Sequence, residues 1–394
     1  MAHTQQAGLQ AQPRPLKLRL TGLALAFALL LAPLHPQNIQ ARLAELQAEA
    51  GFPGITAGVV LPDGRLITAA AGWADLDHKA ALTPDSRMLA GSTGKTFCAA
   101  VILQAVDEGK LDLDSNLDRW LGKEPWFDRL PNAHELTLRL LMGHRSGLND
   151  YVFDKDFRPA FTADIGRNWS ALELAGFTFD KKALFPAGTS FAYADANFVI
   201  AGLVFEIVTG RKLFSEVERR VLKPRKLEHT VTSESRIDKD LAPGWLNPRT
   251  PFKLEGSTLR DGRLILNAQA EYAGGGIIST AGDLARWATL LWQGKAFSEA
   301  MLKEMLDAKP TGTGRGGGKD AQYGLAVQIQ PSEFGTTYSH AGWFPGYQTE
   351  MVYFPEEKIA VSVQVNGDPV GYKRSPRYCV NELLRVVLTS SIPK

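Results

Sequence analysis

A serine followed three residues later by a lysine, where an apolar helical pattern begins, constrains this chain more than any other feature. The stretch is Ala90-Gly91-Ser92-Thr93-Gly94-Lys95-Thr96-Phe97, and the apolar pattern continues through Val101, Ile102, Leu103 and Val106. Positions i and i+3 of a helix share one face, so Ser92 Oγ and Lys95 Nζ can meet within one turn. A serine hydroxyl becomes a nucleophile when a neighbour takes its proton, and a lysine withdrawn from water is such a neighbour. A helix start also offers free N–H groups to a developing oxyanion. The same residues would equally serve as a helix cap followed by a solvated lysine, so the rest of the chain has to decide.

With 394 residues and 44% hydrophobic content, the chain suits one large domain or two ordinary ones. A formal net charge of +2, with no long basic run in the interior, argues against a nucleic-acid partner. The N-terminus differs from the rest. Arg14, Lys17 and Arg19 precede an apolar run from Leu20 to Ala32, an order that reads as an export signal. The run is short for a membrane span. Because Pro33, Leu34, His35 and Pro36 follow, cleavage near residue 36 and retention as an N-terminal membrane anchor are both open. The expected location is periplasmic or secreted, with anchoring to the inner membrane as the alternative. Cys98 and Cys379 are the only cysteines, each inside an apolar helical pattern. They read as buried free thiols; a disulfide would require them to approach one another. The histidines show no metal-ligand spacing, and no metal or organic cofactor is expected.

Along the chain, residues 38–50 have helical spacing through Ile39, Leu43 and Leu46. Ile55 to Leu61 and Arg65 to Ala71 read as strands joined by the turn Pro62-Asp63-Gly64. Helical patterns follow at 136–142, 170–177, 195–208 and 212–222, punctuated by Pro, Gly and Asn. Ser279-Thr280-Ala281-Gly282-Asp283 reads as a capped helix start. The Gly-rich stretch Thr311 to Gly318 reads as a loop. Strand-like runs at 323–330, 336–341, 347–354 and 358–366 come next, then a helix over Tyr378 to Leu388. Strands gathered near both ends must pair to avoid exposed edges. The expected class is therefore α+β: an antiparallel sheet flanked by N- and C-terminal helices, with a mostly helical subdomain of about residues 115–270 inserted. Ser92 falls at the junction, where clefts form.

Five stretches now carry a resemblance. Ser92-Thr93-Gly94-Lys95 is similar to the nucleophile motif of the serine β-lactamase and penicillin-binding-protein family. Leu140-Leu141-Met142-Gly143-His144-Arg145-Ser146-Gly147-Leu148 resembles its L-L-x-H-x-S-G-L segment with one residue added. Pro186 to Asn197 resembles the segment carrying its tyrosine, here Tyr193. Gly274-Gly275-Gly276-Ile277-Ile278-Ser279-Thr280 resembles its Gly-rich stretch before a helix, and His340-Ala341-Gly342 stands where the family has Lys-Thr-Gly or His-x-Gly. The resemblance spans about residues 40–390 and is nearest to the class C β-lactamase, D-alanyl-D-alanine carboxypeptidase and family VIII esterase branch. It implies that residues 37–394 form a β-lactamase-related serine hydrolase domain. Ser92 would be the nucleophile, with Lys95 and Tyr193 managing the proton. The substrate would be a small molecule or peptidoglycan-like. The backbone N–H groups of Ser92 and Trp343 would form the oxyanion hole, with Gly342 letting the strand approach. Tyr193 is expected to hold a depressed pKa beside the lysine ammonium.

Two positions depart from the family pattern. Asp195 stands where the family more often has asparagine. A carboxylate there favours a charged Lys95, moves the role of base toward Tyr193, and removes an amide donor for β-lactams; Asn197 is the alternative source of that amide. His340 replaces a lysine, so the cleft loses a permanent positive charge. On an edge strand His340 would point into the cleft. His144 and Ser146 read as structural, while Tyr323, Trp343, Phe344 and Tyr347 read as cleft lining. The expected activity is hydrolysis of esters or D-amino-acid amides. The alternatives are a β-lactamase or D,D-carboxypeptidase proper, or a non-catalytic penicillin-binding sensor. An α/β-hydrolase would need a G-x-S-x-G elbow, which the chain lacks.

Overall fold

The computed structural model describes residues 36–76, 79–313 and 316–390. The stretch read as an export signal lies outside them, apart from Pro36. Strands β1 (Gly54–Val60), β2 (Leu66–Asp75) and β3 (Ala80–Ala81) come from the start of the chain. Strands β4 (Lys309–Pro310), β5 (Gln322–Tyr323), β6 (Gln328–Ser332), β7 (Gly335–Phe344), β8 (Tyr347–Phe354) and β9 (Ile359–Val365) come from its end. All nine join one antiparallel sheet in the order β4-β5-β6-β7-β8-β9-β1-β2-β3. The two ends of the chain meet at its centre, where Ile55 pairs with Val365 and Val60 with Ala360.

The central strands are buried along their whole length, because helices cover both faces. One face packs against α1 (Pro36–Ala50) and α5 (Pro376–Ser390). Ile39, Leu43 and Leu46 of α1 and Val380, Leu383, Leu384 and Val387 of α5 meet Ile55, Val59, Val361 and Val363 there. Each such aliphatic side chain contributes about 1.5–3 kcal/mol on burial. Arg42 ties the two helices through Glu382 at 2.7 Å. On the other face lies α4 (Ala281–Trp292), capped by Thr280 Oγ1, which accepts from Asp283 N at 3.2 Å. Cys98 belongs to the core on that side and Cys379 to the core under α1 and α5, so the thiols are separated by the sheet and unpaired.

Between the sheet's two contributions runs the segment that builds the cleft. It holds α2 (Lys95–Asp107) and α3 (Asp195–Thr209), with several shorter helical turns. From 223 to 267 the chain forms loops and two-residue strand pairs. The strand expected over 323–330 is interrupted. Leu325 N donates to Met305 O and Ala326 N to Met142 O, with Ala326 at a left-handed φ of 61°. Those bonds to other elements pull residues 324–327 out of the ladder. β7 is not an edge strand, contrary to the expectation for His340. Its ladder to β6, however, ends at the pair Gln328–Ser339, so residues 340–344 are open on that side.

Candidate active site

Gly91–Gly94 form a tight 3₁₀ turn, and α2 begins at Lys95. α2 is buried on almost every side, from Lys95 through Leu103, as expected of a helix apolar all round. Lys95 is therefore carried into the core, with no side-chain exposure. A buried ammonium needs partners, and three acceptors surround Nζ: Ser92 Oγ at 3.0 Å, Asp195 Oδ1 and the Gly274 carbonyl. An ammonium has three protons, so this set satisfies it. The cap-plus-solvated-lysine reading fails on this burial.

Asp195 is the first residue of α3, where a carboxylate also suits the helix dipole. Its own N–H donates to Asp150 Oδ1 at 3.2 Å. Gly274 ends a kinked 3₁₀ segment, Ala268–Gly274, in which Tyr272 takes φ 41° and ψ −128°. Such a conformation in a non-glycine residue is strained, and here it precedes the carbonyl that binds Lys95. Asn197 does not reach Lys95. Its amide pairs with His144 Nδ1 at 3.0 Å and accepts from Ser146 Oγ at 2.5 Å, and all three residues are buried. The alternative that Asn197 replaces the family asparagine is thereby overturned, and His144 and Ser146 form part of the wall behind Tyr193.

Tyr193 lies against this wall, its ring centroid 4.1 Å from that of His144 and 5.0 Å from Lys95 Nζ. The expectation of a depressed pKa is wrong. Burial and then the Asp195 charge push the phenol well above its ordinary value, with the Ser92 hydroxyl pulling weakly the other way. Burial is the larger cause, and the Asp195 carboxylate, paired with the ammonium that the expectation relied on, adds to it. The Tyr193 hydroxyl is enclosed and completes no hydrogen bond of good geometry among the described residues.

His340, on β7, is 1% exposed. Nδ1–H donates to Ala341 O at 2.7 Å, leaving Nε2 to accept from the Tyr323 hydroxyl at 2.8 Å. Burial, then Lys95, push its pKa down to about 3, so the imidazole is neutral. It organises Tyr323 and cannot serve as a cationic anchor.

Gly342 packs directly on the serine turn. A Cβ there would sit 1.9 Å from Ala90 O, and one on Gly91 (φ 52°) would sit 2.5 Å from Trp343 N. Only glycines permit this approach, which brings the Ala90–Gly91 backbone against that of Gly342 and Trp343. Thr93 Oγ1 reinforces it by donating to His340 O at 3.3 Å. Trp343 is held in turn by a carboxylate, its Nε1 donating to Asp368 Oδ1 at 2.9 Å.

Ser92, Tyr193, Asp195, His340, Gly342 and Trp343 thus line one cleft of about 380 Å³. Two lining acids escaped sequence reasoning, Asp150 and Glu271. Burial and the neighbouring Asp195 raise Glu271 to about 8, against a smaller pull from Lys95. Its Oε2 accepts from Gly276 N at 3.3 Å. The available signal was an isolated acid in the otherwise uncharged run Ala268 to Gly276. Among the described residues no lysine or arginine lines the cleft.

Fold and site together present a serine–lysine pair of Ser-x-x-Lys type, set at the side of an antiparallel sheet. The chain belongs to the beta-lactamase family, whose model matches residues 39–380. It is 26% identical over 331 residues to the unguisins hydrolase ungD' of Aspergillus campestris, covering 80% of this chain and 58% of that relative. It is 24% identical over 313 residues to the D-aminopeptidase of Brucella anthropi, covering 78% and 55%. The chain thus spans little more than half the length of these curated relatives. Among solved structures, the D-stereospecific amidohydrolase from Streptomyces sp. superposes with a TM-score of 0.75 at 26% identity, covering 88% of this chain and 98% of that one.

Proposed function

We propose that the protein is a serine hydrolase that works through an acyl-enzyme on Ser92 and acts on esters and D-amino-acid amides. The observation that carries this reading is the contact of 3.0 Å between Ser92 Oγ and a lysine with no exposure. The names of the D-aminopeptidase and the D-stereospecific amidohydrolase support the D-amino-acid class.

Chemically, neither Tyr193 nor His340 waits as a charged group. Ser92 passes its proton to the Tyr193 oxygen as it attacks the carbonyl carbon, and Tyr193 passes its own proton to the leaving atom. The phenol remains neutral before and after, consistent with its raised pKa. Lys95 keeps its proton, stabilises the developing charge on Oγ, and is itself held by Asp195 and Gly274. The Ser92 and Trp343 N–H groups stabilise the oxyanion. Water then repeats the sequence in reverse and releases the acid.

Labelling with a fluorophosphonate, followed by peptide mapping, tests the reading. The adduct is expected on Ser92 and is lost in Ser92→Ala; an adduct on any other serine refutes the assignment. We further propose export through residues 1–36, supported by their basic-then-apolar order. A phosphatase fused after residue 50 should be active in the periplasm, and an inactive fusion counts against export.

A further inference from the structure

The cleft wall away from Tyr193 is a continuous run of aromatic rings. Ring centroids are 5.0 Å apart for Tyr151 and Phe157, 5.6 Å for Phe157 and Phe161, 5.5 Å for Phe161 and Phe252, and 6.0 Å for Phe252 and Trp343. All five residues line the cleft that holds Ser92. Tyr151, Phe157 and Phe161 come from one stretch, and Phe252 and Trp343 from two others, so the fold assembles the arc. Its last member is clamped. The Asp368 carboxylate that binds the indole N–H is 1% exposed and also accepts from Gly346 N at 2.9 Å and Asn247 N at 2.8 Å. At the cleft mouth Phe153, another lining ring, leaves 42% of its surface in water.

Tyr193 belongs to a different ring cluster, with His144, Tyr323 and His340. Among the described residues no ring pair joins that cluster to the arc. Because Tyr193 protonates the leaving atom, the leaving group departs on the Tyr193 side. The arc therefore faces the other substituent of the scissile carbonyl.

We infer that the arc is an aryl-binding subsite for the acyl half of the substrate, so that the enzyme selects acyl groups bearing a phenyl or similar ring. Offset and edge-to-face contacts with several rings favour an aryl group over an alkyl group of equal area. The inference rests on the acyl-enzyme reading above, and specifies what that acyl group carries.

Boronic acids test the subsite without assuming an ester, an amide or a β-lactam. Ser92 Oγ bonds to boron, the boron becomes tetrahedral and anionic, the serine proton goes to solvent, and no bond to carbon breaks. Protection of Ser92 from fluorophosphonate would be titrated with 2-cyclohexylethylboronic acid and with 2-phenylethylboronic acid, which bury similar areas. The aryl compound should protect at about 2- to 10-fold lower concentration, the range expected for ring–ring contacts beyond area burial. In Phe252→Ala that ratio should fall toward one, with a melting curve confirming that the variant is folded. If the variant does not fold, the ratio in the unaltered protein decides. Equal protection by the two compounds, or a ratio that Phe252→Ala leaves intact, overturns the subsite. Failure of fluorophosphonate to label Ser92 at all overturns the acyl-enzyme reading, and the subsite falls with it.

Discussion

Replacing Glu271 by Gln should stabilise the protein, and should do so only above the acid range. Glu271 holds its proton to about pH 8 in the folded chain, whereas an ordinary glutamate ionises near 4.5. A group whose folded pKa is raised binds more protons folded than unfolded between those two values. Stability therefore falls as pH rises across that interval and levels off above about 8. An interval of about 3.5 pH units at 1.36 kcal/mol each sets a ceiling of roughly 5 kcal/mol. The side chain keeps partial exposure, and water at its edge screens the effect, so about 2 kcal/mol is the expected size. Gln keeps an oxygen for Gly276 N–H, so the comparison removes the charge and not the hydrogen bond.

Urea unfolding of both proteins at pH 5, 7 and 9, at fixed ionic strength, measures the difference. At pH 5 the two should agree within about 1 kcal/mol, with the Gln variant ahead increasingly at pH 7 and 9. Groups elsewhere titrate alike in both and cancel. A difference independent of pH, or one that opens toward acid, would falsify the argument and mean that Glu271 is charged in the folded protein at neutral pH.

Gly342→Ala places a methyl 1.9 Å from Ala90 O; displacement of the serine turn should lower kcat by about 100-fold or more, and ester turnover within tenfold of the original would contradict this. Asp195→Asn removes the negative charge beside Lys95 and restores an amide; acylation by a cephalosporin should rise more than hydrolysis of a butyrate ester, and equal changes in the two would show that Asp195 does not govern selectivity. In the unaltered protein the expected order is neutral ester above peptide and peptide above β-lactam, read as kcat/KM.

Much of this arrangement was legible in the sequence because local rules and tertiary packing agree there. The apolar spacing of Ile39, Leu43 and Leu46 is the buried face of α1, and Thr280 with Asp283 caps α4 as the residue order implied. Ser92 and Lys95 meet because an i, i+3 pair needs no distant help. The failures share one cause, which is tertiary demand overriding local pattern. Residues 324–327 leave the ladder because the Met305 and Met142 carbonyls claim the Leu325 and Ala326 N–H groups. Glu271 reaches the site through a kink at Tyr272 that no periodicity announces. The phenol pKa of Tyr193 was misjudged in direction, since the ammonium and the carboxylate at Asp195 were visible in the sequence but the burial of the phenol hydroxyl, the larger cause, was not.

That misjudgement bears on mechanism. A phenolate beside a free ammonium would be a strong resident base, able to act on any carbonyl brought near. Asp195 instead pairs with Lys95, the phenol stays protonated, and His340 is neutral. In the proposed mechanism neither Tyr193 nor His340 waits as a charged group beside Ser92, so proton movement is concerted with attack. It becomes favourable only when the oxyanion donors and the leaving atom are both in register with Ser92. Positioning of the substrate then controls the rate more than the basicity of any residue does. On the proposed mechanism the rigid wall has a catalytic meaning: Asp368 fixes the indole of Trp343, the residue whose backbone N–H is assigned to the oxyanion, so a ring docked against Trp343 would also set the carbonyl.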